Sequence, residues 1–499
     1  KRKTMKRKSL NLLLIVATIS ATVGCKKGYL DTAPSGAITP DMVYGTIAAV
    51  NSSLTATYYS TFAFAGGNGN TGHDNFGHKA IDLASDLMGN DMIVNTQGYG
   101  WFNRDYQYTE WTLPTAAGRP DKAWAFYYDV SAQVNKLLDA TANQQVTPDL
   151  EKARGEALGI RAWAAYNLIN LFQQTYKGNE TKPGVPYYTS SLDPLKGRGT
   201  VQETYTQIIA DLTQAETLLN GKTRASKINM DVSVVRGLRA RVALVMEDWA
   251  TAATYANLAK QPYTLMSNTV YTSRTGFSNI ATSEWMWGSL ITTAQATIYA
   301  SFFSHMDPSQ TSYAQLGGQK KIPKSLYDAI PFTDIRKQVF TTPGTGNANF
   351  PDYSQKKHLV PTVGSWAADY LYMRASEMYL IQAEALARQG QDAPARTVLE
   401  QMVTLRNPAY SAASFSGTSL INEILLQRRI ELWGEGFSLI DIKRSGAGLN
   451  RTTGANNHGA PNFNPIVYTL PAASPLYLMK IPQREIDNNP LIPAGAQNP

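Results

Sequence analysis

The feature that most constrains the fold is a helical spacing of apolar residues, which recurs along much of the chain. Between Lys152 and Gln174, apolar residues follow one another at intervals of three and four positions, as along one side of an α-helix. Further apolar residues in this stretch, among them Trp163 and Tyr166, lie on its other sides. A helix that is apolar on several sides is usually packed between neighbours. The pattern therefore predicts an all-α core of stacked helices.

Several further apolar patterns begin at a residue that can cap a helix. Thr200 and Asp231 each precede such a pattern, and their side-chain oxygens can accept a hydrogen bond from the first turn. Glu247 and Asp248 mark a short break before the next pattern begins at Trp249. These signals predict successive helices joined by short turns.

The C-terminal third repeats this plan. Helices are expected over residues 371–388, from a cap at Asp392, over 419–433 and over 437–443, and Gly390 suits the end of the first of them. Helix pairs with short connections predict a tetratricopeptide-like repeat, although no strict period is present.

Three long stretches do not follow this spacing. Residues 65–120, 261–369 and 446–475 are rich in aromatic residues and in Gly, Asn, Thr and Pro. Long irregular stretches inside a compact domain are usually functional. We therefore expect one helical domain over residues 41–499, with these three stretches as insertions.

The net charge is unevenly distributed. The chain of 499 residues has a formal charge of +8, but six of its 46 basic residues precede position 25 and no acidic residue does. The remaining 40 basic and 38 acidic residues nearly cancel. A nearly neutral body has no long-range field to attract a polyanion, so we expect no nucleic-acid partner.

The first 24 residues have the layout of a secretory signal. Residues 6–8 are basic, residues 10–19 are mostly apolar but too few to span a bilayer as a helix, and small residues precede Cys25. Cys25 is the only cysteine, and Val23-Gly24-Cys25 is similar to a bacterial lipobox, with Thr22 where leucine is usual. We expect a signal peptide over residues 1–24 and a tether over residues 25–40 that is lipidated at Cys25. The alternative is an ordinary signal peptide with an incidental cysteine.

Several blocks of the chain, in the right order and over its full length, resemble the SusD/RagB family of nutrient-binding lipoproteins. The blocks are CKKGYLD at 25–31 with Pro34 and 38–39, SDLM at 85–88, TDIR at 333–336, RASEMYLIQAEA at 374–385, RRIEL at 428–432 with Glu435, Gly436, Asp441 and Arg444, and IPQREID at 481–487 with Asn489 and Pro490. The block that begins at Arg428 is the strongest. No single block would suffice, but the ordered set is specific.

The resemblance implies an all-α fold in which tetratricopeptide-like helix pairs support a loop-rich binding face. It also implies a lipid-anchored protein of the Bacteroidetes outer membrane that faces the cell exterior. The expected partner is a SusC-like TonB-dependent β-barrel transporter, and the expected ligand is an oligosaccharide or polysaccharide, or in some members a peptide. No catalysis and no cofactor are expected. Lys26 and Lys27 replace the acidic residues that often follow the cysteine and favour surface export, so a periplasmic orientation stays open.

One loop combines the side chains that a glycan requires. Sugars present apolar ring faces to Trp or Tyr and hydroxyl groups to polar side chains. Residues 95–106 contain this mixture, at the position of a ligand-binding loop in the family. We expect ligand contacts from Tyr99, Trp101 and Asn103, with Arg104 and Asp105 as polar partners. The alternative is that Trp101 packs beneath the loop.

A second candidate is the segment around Trp285 and Trp287. Their alternate spacing predicts an extended strand with both rings on one face, and Tyr299 follows downstream. Trp285 is a candidate ligand contact, whereas Trp287, Trp366 and Trp433 are expected in the core.

The charged residues between Arg428 and Arg444 could be acid–base machinery or a network of ion pairs between helices. We favour ion pairs, because helical spacing makes these residues neighbours. A glycoside hydrolase, which needs only a pair of carboxylates, is the rival function. A scaffold that binds only its barrel partner is a third.

A metal or nucleotide site has little support. His73 and His78 lie in a Gly- and Asn-rich stretch whose spacing matches neither a zinc nor an EF-hand pattern. The chain also lacks GxSxG, a Walker A motif and a Rossmann glycine fingerprint after a strand. We predict no catalytic residue and no metal ligand.

Overall fold

The computed structural model describes residues 43–459 and 466–499. The predicted signal peptide, the tether and Cys25 lie outside this part of the chain. Helices dominate it, and they are α1 (Ile47–Ser60), α2 (His78–Leu87), α3 (Asn103–Tyr106), α4 (Arg119–Thr141), α5 (Pro148–Phe172), α6 (Val201–Leu219), α7 (Val232–Met246), α8 (Trp249–Lys260), α9 (Asn268–Tyr271), α10 (Phe302–Met306), α11 (Lys324–Ala329), α12 (Ala375–Arg388), α13 (Asp392–Arg406), α14 (Gly417–Glu431), α15 (Ser438–Ser445) and α16 (Gln483–Asn488).

Helix α5 is packed on several sides, as its sequence predicts. It lies against α4 and α6, and its Trp163 is fully buried against Tyr127 and Trp287. A β-carbon at Gly155 would come within 2.8 Å of Leu219, so the absence of a side chain there allows α5 and α6 to approach closely. The stack continues from α6 through α7 and α8 to α12, which contacts α13 and α14.

The predicted helix starts are confirmed by their hydrogen bonds. Thr200 accepts from the backbone of Glu203, whose carboxylate in turn accepts from Thr200. Asp231 accepts from Val234 in the same way. Glu247 adopts a left-handed backbone conformation that ends α7, which explains the short break before α8.

Several boundaries in the C-terminal third differ from the prediction, and two of them reflect contacts with distant segments. Residues 371–374 form a strand rather than the first turn of a helix, because their backbone pairs with the strand that begins at Trp285. Asp392 is the first residue of α13 and not its cap, and its carboxylate accepts a hydrogen bond from the backbone of Gly417 instead. In both cases a distant segment supplies the hydrogen bond that decides the local structure.

The irregular stretches contain short paired strands and short helices. In the described residues β1 (Ile93–Val94) pairs with β3 (Lys320–Lys321), β2 (Trp285–Ser289) with β4 (Tyr370–Arg374), and β5 (Leu449–Asn450) with β6 (Thr469–Leu470), all antiparallel. The pairing of β1 with β3 joins the first irregular stretch to the second. The loop after β1 and the segment before β3 contribute to the candidate site.

Candidate functional site: an aromatic platform

Six partly exposed aromatic side chains from three separate loops meet on one surface, which we call the aromatic platform. The loop between α1 and α2 contributes two rings, the loop after β1 two more, and the segment between β2 and β3 the last two. The members are Phe64, His73, Tyr99, Trp101, Tyr299 and Tyr313.

His73 is the central ring of the platform. Its imidazole lies nearly parallel to Trp101 and to Tyr299, at interplanar angles of 17° and 4° and centroid distances of 5.6 and 6.3 Å. The distances show that the rings are offset rather than directly superposed. The Nδ1 atom of His73 lies 2.6 Å from the hydroxyl of Tyr313, which fixes the two rings relative to each other.

A buried layer of rings supports the platform from below. His305 on α10 stacks between Phe76 and Tyr313, with centroid distances of 5.6 and 5.1 Å, and its edge meets Phe102. Burial lowers the pKa of His305 to about 3, so the ring is neutral at physiological pH. Its Nε2–H donates to the carbonyl of His73 at 2.9 Å, which ties the loop of His73 to α10.

The loops of Trp101 and Tyr313 are hydrogen bonded to each other. The backbone of Asn95 donates to Gln319, and both the backbone and the hydroxyl of Thr96 donate to the carbonyl of Gly317. These bonds extend the pairing of β1 with β3. The platform is therefore held by backbone contacts and not only by the packing of its rings.

Three of the predicted ligand contacts lie at or beside the platform surface. Tyr99 is 69% exposed and its ring meets Tyr313 edge-on at 5.4 Å. Trp101 is half-buried, with its indole beside His73. Arg104 is exposed and pairs with Glu110 at 3.3 Å.

The other three predicted contacts are buried. Asn103 donates to the carbonyl of Gln97 and so closes the loop from within. Asp105 is 1% exposed and accepts from Arg119 and Trp111, so its expected role as a surface partner for ligand does not match its position. Trp285 is 0% exposed in β2.

The burial of Trp285 corrects its assignment to the binding face. Its Nε1 donates to the carbonyl of Gly276, and the neighbouring Trp287 donates to Ile228 and is equally buried. Both rings lie inside because β2 pairs with β4 over the helical core, so neither face of the strand reaches solvent. Tyr299, further along the same segment, is the residue that reaches the platform.

Comparison with known proteins places the chain in a family. The model of SusD-like proteins described as starch-binding and associating with the outer membrane matches residues 73–244, and the SusD family model that includes RagB matches residues 334–499. The chain belongs to the SusD/RagB family. No curated protein matches it with significance.

Solved structures of this family have the same fold. A SusD-like carbohydrate binding protein from Bacteroides vulgatus is 26% identical, with a TM-score of 0.78 over 91% of this chain and 99% of that one. A SusD superfamily protein from Bacteroides thetaiotaomicron is 22% identical, with a TM-score of 0.73 over 91% and 100%. Surface glycan-binding protein A from the same species is 15% identical, with a TM-score of 0.68 over 90% and 98%.

The charged block of this SusD/RagB protein is a buried ion network, which confirms the interpretation as ion pairs. Arg374 contacts Glu284, Glu431 and Glu435, each at 2.7 Å. Burial alone would raise the pKa of Glu435, but Arg374 and Lys357 lower it to about 2. The same pattern continues in the pairs Arg428–Asp441, Arg444–Asp441 and Arg444–Glu384, each at 2.7 Å.

Sequence reasoning missed part of the platform. The sequence patterns indicate His73 only as a metal-ligand candidate and Tyr299 only as a neighbour of the Trp285 segment, and they do not single out Phe64 or Tyr313. The available signal was that all four lie in or beside the irregular, aromatic-rich stretches. Nothing in the spacing indicates which of those rings come together.

Residues 43–459 and 466–499 contain neither a cluster of metal ligands nor a helix that could span a membrane. No group of three or more His, Cys, Asp or Glu side chains in that part of the chain could hold a metal ion. No helix there is both long and apolar enough to cross a bilayer.

Proposed function

We propose that this protein is a non-catalytic, cell-surface binding protein that captures oligosaccharides or polysaccharides on the aromatic platform. It then delivers them to a SusC-like TonB-dependent outer-membrane transporter. The observation that carries the proposal is the convergence of six partly exposed rings from three loops on one surface. Partly exposed rings held by a buried layer are suited to stacking against apolar faces of a ligand.

The character of the platform favours a neutral, hydroxyl-rich ligand. Its rings offer stacking faces, while the hydroxyl groups of Tyr99 and Tyr299 and the imidazole of His73 can exchange hydrogen bonds with sugar hydroxyl groups. The carboxylates of Asp74 and Asp105 beneath it are neutralised by Arg119 and Lys122, so they add little net charge. A glycan matches this combination better than a charged peptide does.

The family relatives support the same ligand class. One similar structure is named as a carbohydrate binding protein and another as a surface glycan-binding protein. The arrangement of the platform rings is an observation separate from the names of those relatives.

A hydrolase is less well supported. General acid–base catalysis needs a carboxyl group that can reach the ligand. Asp74 and Asp105, which lie beneath the platform, are already bound to Arg119. If the purified protein released products from candidate polysaccharides, the binding proposal would give way to a hydrolase.

Membrane attachment through Cys25 is part of the proposal. A diacylated cysteine would hold the protein to the outer membrane beside its transporter, because two or more acyl chains give stable anchoring. We expect Cys25→Ala to abolish incorporation of labelled palmitate. Persistent labelling of that variant would place the anchor elsewhere.

The platform is tested by replacing its half-buried tryptophan. Trp101→Ala removes one stacking face. We expect this variant to bind at least about tenfold more weakly, in affinity electrophoresis, to the glycan that retards the wild type. The melting temperature should change little, because Trp101 is not fully buried. Phe332→Ala, which removes a ring that is 94% exposed and away from the platform, is the control and should bind like the wild type. Unchanged affinity of Trp101→Ala would remove the platform as the binding surface.

A further inference from the structure

A second concave surface lies apart from the platform, between helix α4, the chain at residues 188–195 and helix α16. We call it the α4 cleft. Its volume is about 500 Å³, which falls within the range of small-molecule sites in proteins. None of the six platform residues lines it.

One side of α4 forms a wall of the cleft. Trp124, Tyr128, Ser131 and Asn135 recur at intervals of four, three and four positions, so they lie in a row along the helix. The rings of Trp124 and Tyr128 are 4.8 Å apart, and Tyr188 meets Tyr128 from across the cleft at 6.0 Å. The half-buried faces of Tyr128 and Tyr188 offer apolar surface to a ligand.

Two polar groups in this wall have no hydrogen-bond partner among the described residues. Trp124 and Ser131 are only 4% and 8% exposed. Within residues 43–459 and 466–499, neither the indole N–H of Trp124 nor the hydroxyl of Ser131 makes a hydrogen bond. Most of each side chain is buried, but these two polar atoms are not enclosed by protein and are open to the cleft. A bound ligand can therefore exchange hydrogen bonds with them in place of water.

The charges around the cleft disfavour an anionic ligand. Arg484 is paired with Asp121 at 2.6 Å, and Lys196 is paired with Asp193 at 2.8 Å. Asp129 and Glu485 line the cleft without an ion pair among the described residues. Asp129 accepts no hydrogen bond from the described residues, whereas Glu485 accepts one from the side chain of Asn489 at 2.8 Å. The remaining carboxylate oxygens can accept hydrogen bonds from hydroxyl groups, and both groups repel negative charge.

We propose that the α4 cleft is a second saccharide-binding site that takes a neutral sugar. Stacking faces, an unpaired N–H and hydroxyl in the wall, and carboxylate acceptors at the rim together match a ring with hydroxyl groups. One loop connects the two sites, because the loop between α1 and α2 contributes Gly67 to the cleft and His73 to the platform. A polysaccharide that engages both sites would gain affinity by avidity.

The test uses the indole N–H resonances of the nine tryptophans in the nitrogen-15-labelled protein. Trp124→Phe and Trp101→Ala each remove one resonance and so assign it. Neutral malto-, cello-, xylo- and manno-oligosaccharides are then added to the Trp101→Ala variant. We expect at least one of them to shift the Trp124 resonance in a saturable manner. Trp124→Phe in the same background should bind that sugar about two- to tenfold more weakly, because one hydrogen bond is lost.

A blocking variant separates this site from the platform. Ala132 is half-buried and lines the cleft, so Ala132→Phe, introduced into the protein that retains Trp101, should fill the cleft and abolish the shift of Trp124 while leaving the shift of Trp101 intact. Ala140→Phe, at a half-buried position on the same helix outside the cleft, is the matched control. The inference is overturned if none of these sugars shifts Trp124, if Ala132→Phe leaves the shift unchanged, or if only a cationic peptide produces it. Loss of the Trp101 response alone would count against the platform and not against the cleft.

Discussion

At the scale of single residues, burial separates the side chains that can meet a ligand from those that hold the loop together. Within the run from Tyr99 to Asp105, the exposed fraction falls from 69% to 1%. Tyr99 and Trp101 present their rings at the platform, whereas Asn103 and Asp105 are bonded inward. Neighbouring residues in one short loop therefore have opposite roles.

Asp105 should act on stability and not on affinity. Asp105→Ala leaves Arg119, which is 1% exposed, without its closest carboxylate, and breaking such a buried pair costs about 3–5 kcal/mol. We expect the free energy of unfolding, measured with urea, to fall by about this amount. The protein that remains folded should bind glycan like the wild type. Arg104→Ala, which removes only the exposed partner of Glu110, should cost less than about 1 kcal/mol. If Asp105→Ala were as stable as the wild type but bound glycan more weakly, Asp105 would be a ligand contact and not a structural residue.

At the scale of elements, the platform depends on the junction between two loops that are distant in sequence. Thr96 follows β1 and Gly317 precedes β3, and their hydrogen bonds set the rings of Trp101 and Tyr313 relative to each other. Gly317 has a φ of 107°, and a β-carbon there would lie 2.6 Å from the hydroxyl of Thr96. The junction thus requires glycine for both its backbone conformation and its space.

Gly317→Ala should weaken glycan binding and also lower the free energy of unfolding. The added methyl group forces Thr96 away, which shifts one loop of the platform relative to the other at a cost of about 1–3 kcal/mol in local strain. Gly364→Ala is the matched control, because Gly364 also has a positive φ of 88° but no atom near its β-carbon position. Calorimetric titration with the retained glycan should show lower affinity for Gly317→Ala alone. Equal affinities of the two variants would mean that the junction does not position the platform.

At the scale of the whole molecule, the fold buries most of its histidines in the neutral form. Burial lowers the pKa of His78 to about 4 and those of His305 and His458 to about 3. The unfolded chain takes up protons at these positions below about pH 6.5, whereas the native protein does not until the pH is lower. Stability therefore falls on acidification through this window. Asp86 opposes the trend, because burial raises its pKa to about 7. Burial raises the pKa of four further carboxyl groups less strongly, those of Glu110, Asp129, Glu156 and Asp369. Burial also lowers the pKa of His358, so four strongly shifted imidazoles act together and outweigh the carboxyl groups.

The free energy of unfolding should consequently be lower at pH 5 than at pH 6.5. Each buried histidine contributes a slope of up to about 1.4 kcal/mol per pH unit in this range. Urea unfolding at several pH values measures the slope, and His458→Gln, which has no group to protonate, should reduce it. Constant or rising stability on acidification would contradict the buried neutral state of these rings.

Residue patterns alone predict the all-α class, the helix caps at Thr200 and Asp231, the ion pairs around Arg428 and the loop that carries Tyr99 and Trp101. These features are local, because they depend on the spacing of residues within a turn or a helix, and the family blocks add a specific order. The folded structure was needed to show that residues 371–374 form a strand, that Trp285 and Asp105 are buried, and that His73, Tyr299 and Tyr313 join Trp101. Those outcomes depend on contacts between segments tens to hundreds of positions apart, such as β2 with β4 and Thr96 with Gly317. Helical periodicity contains no information about which distant loops meet, so the composition of the platform follows from packing alone.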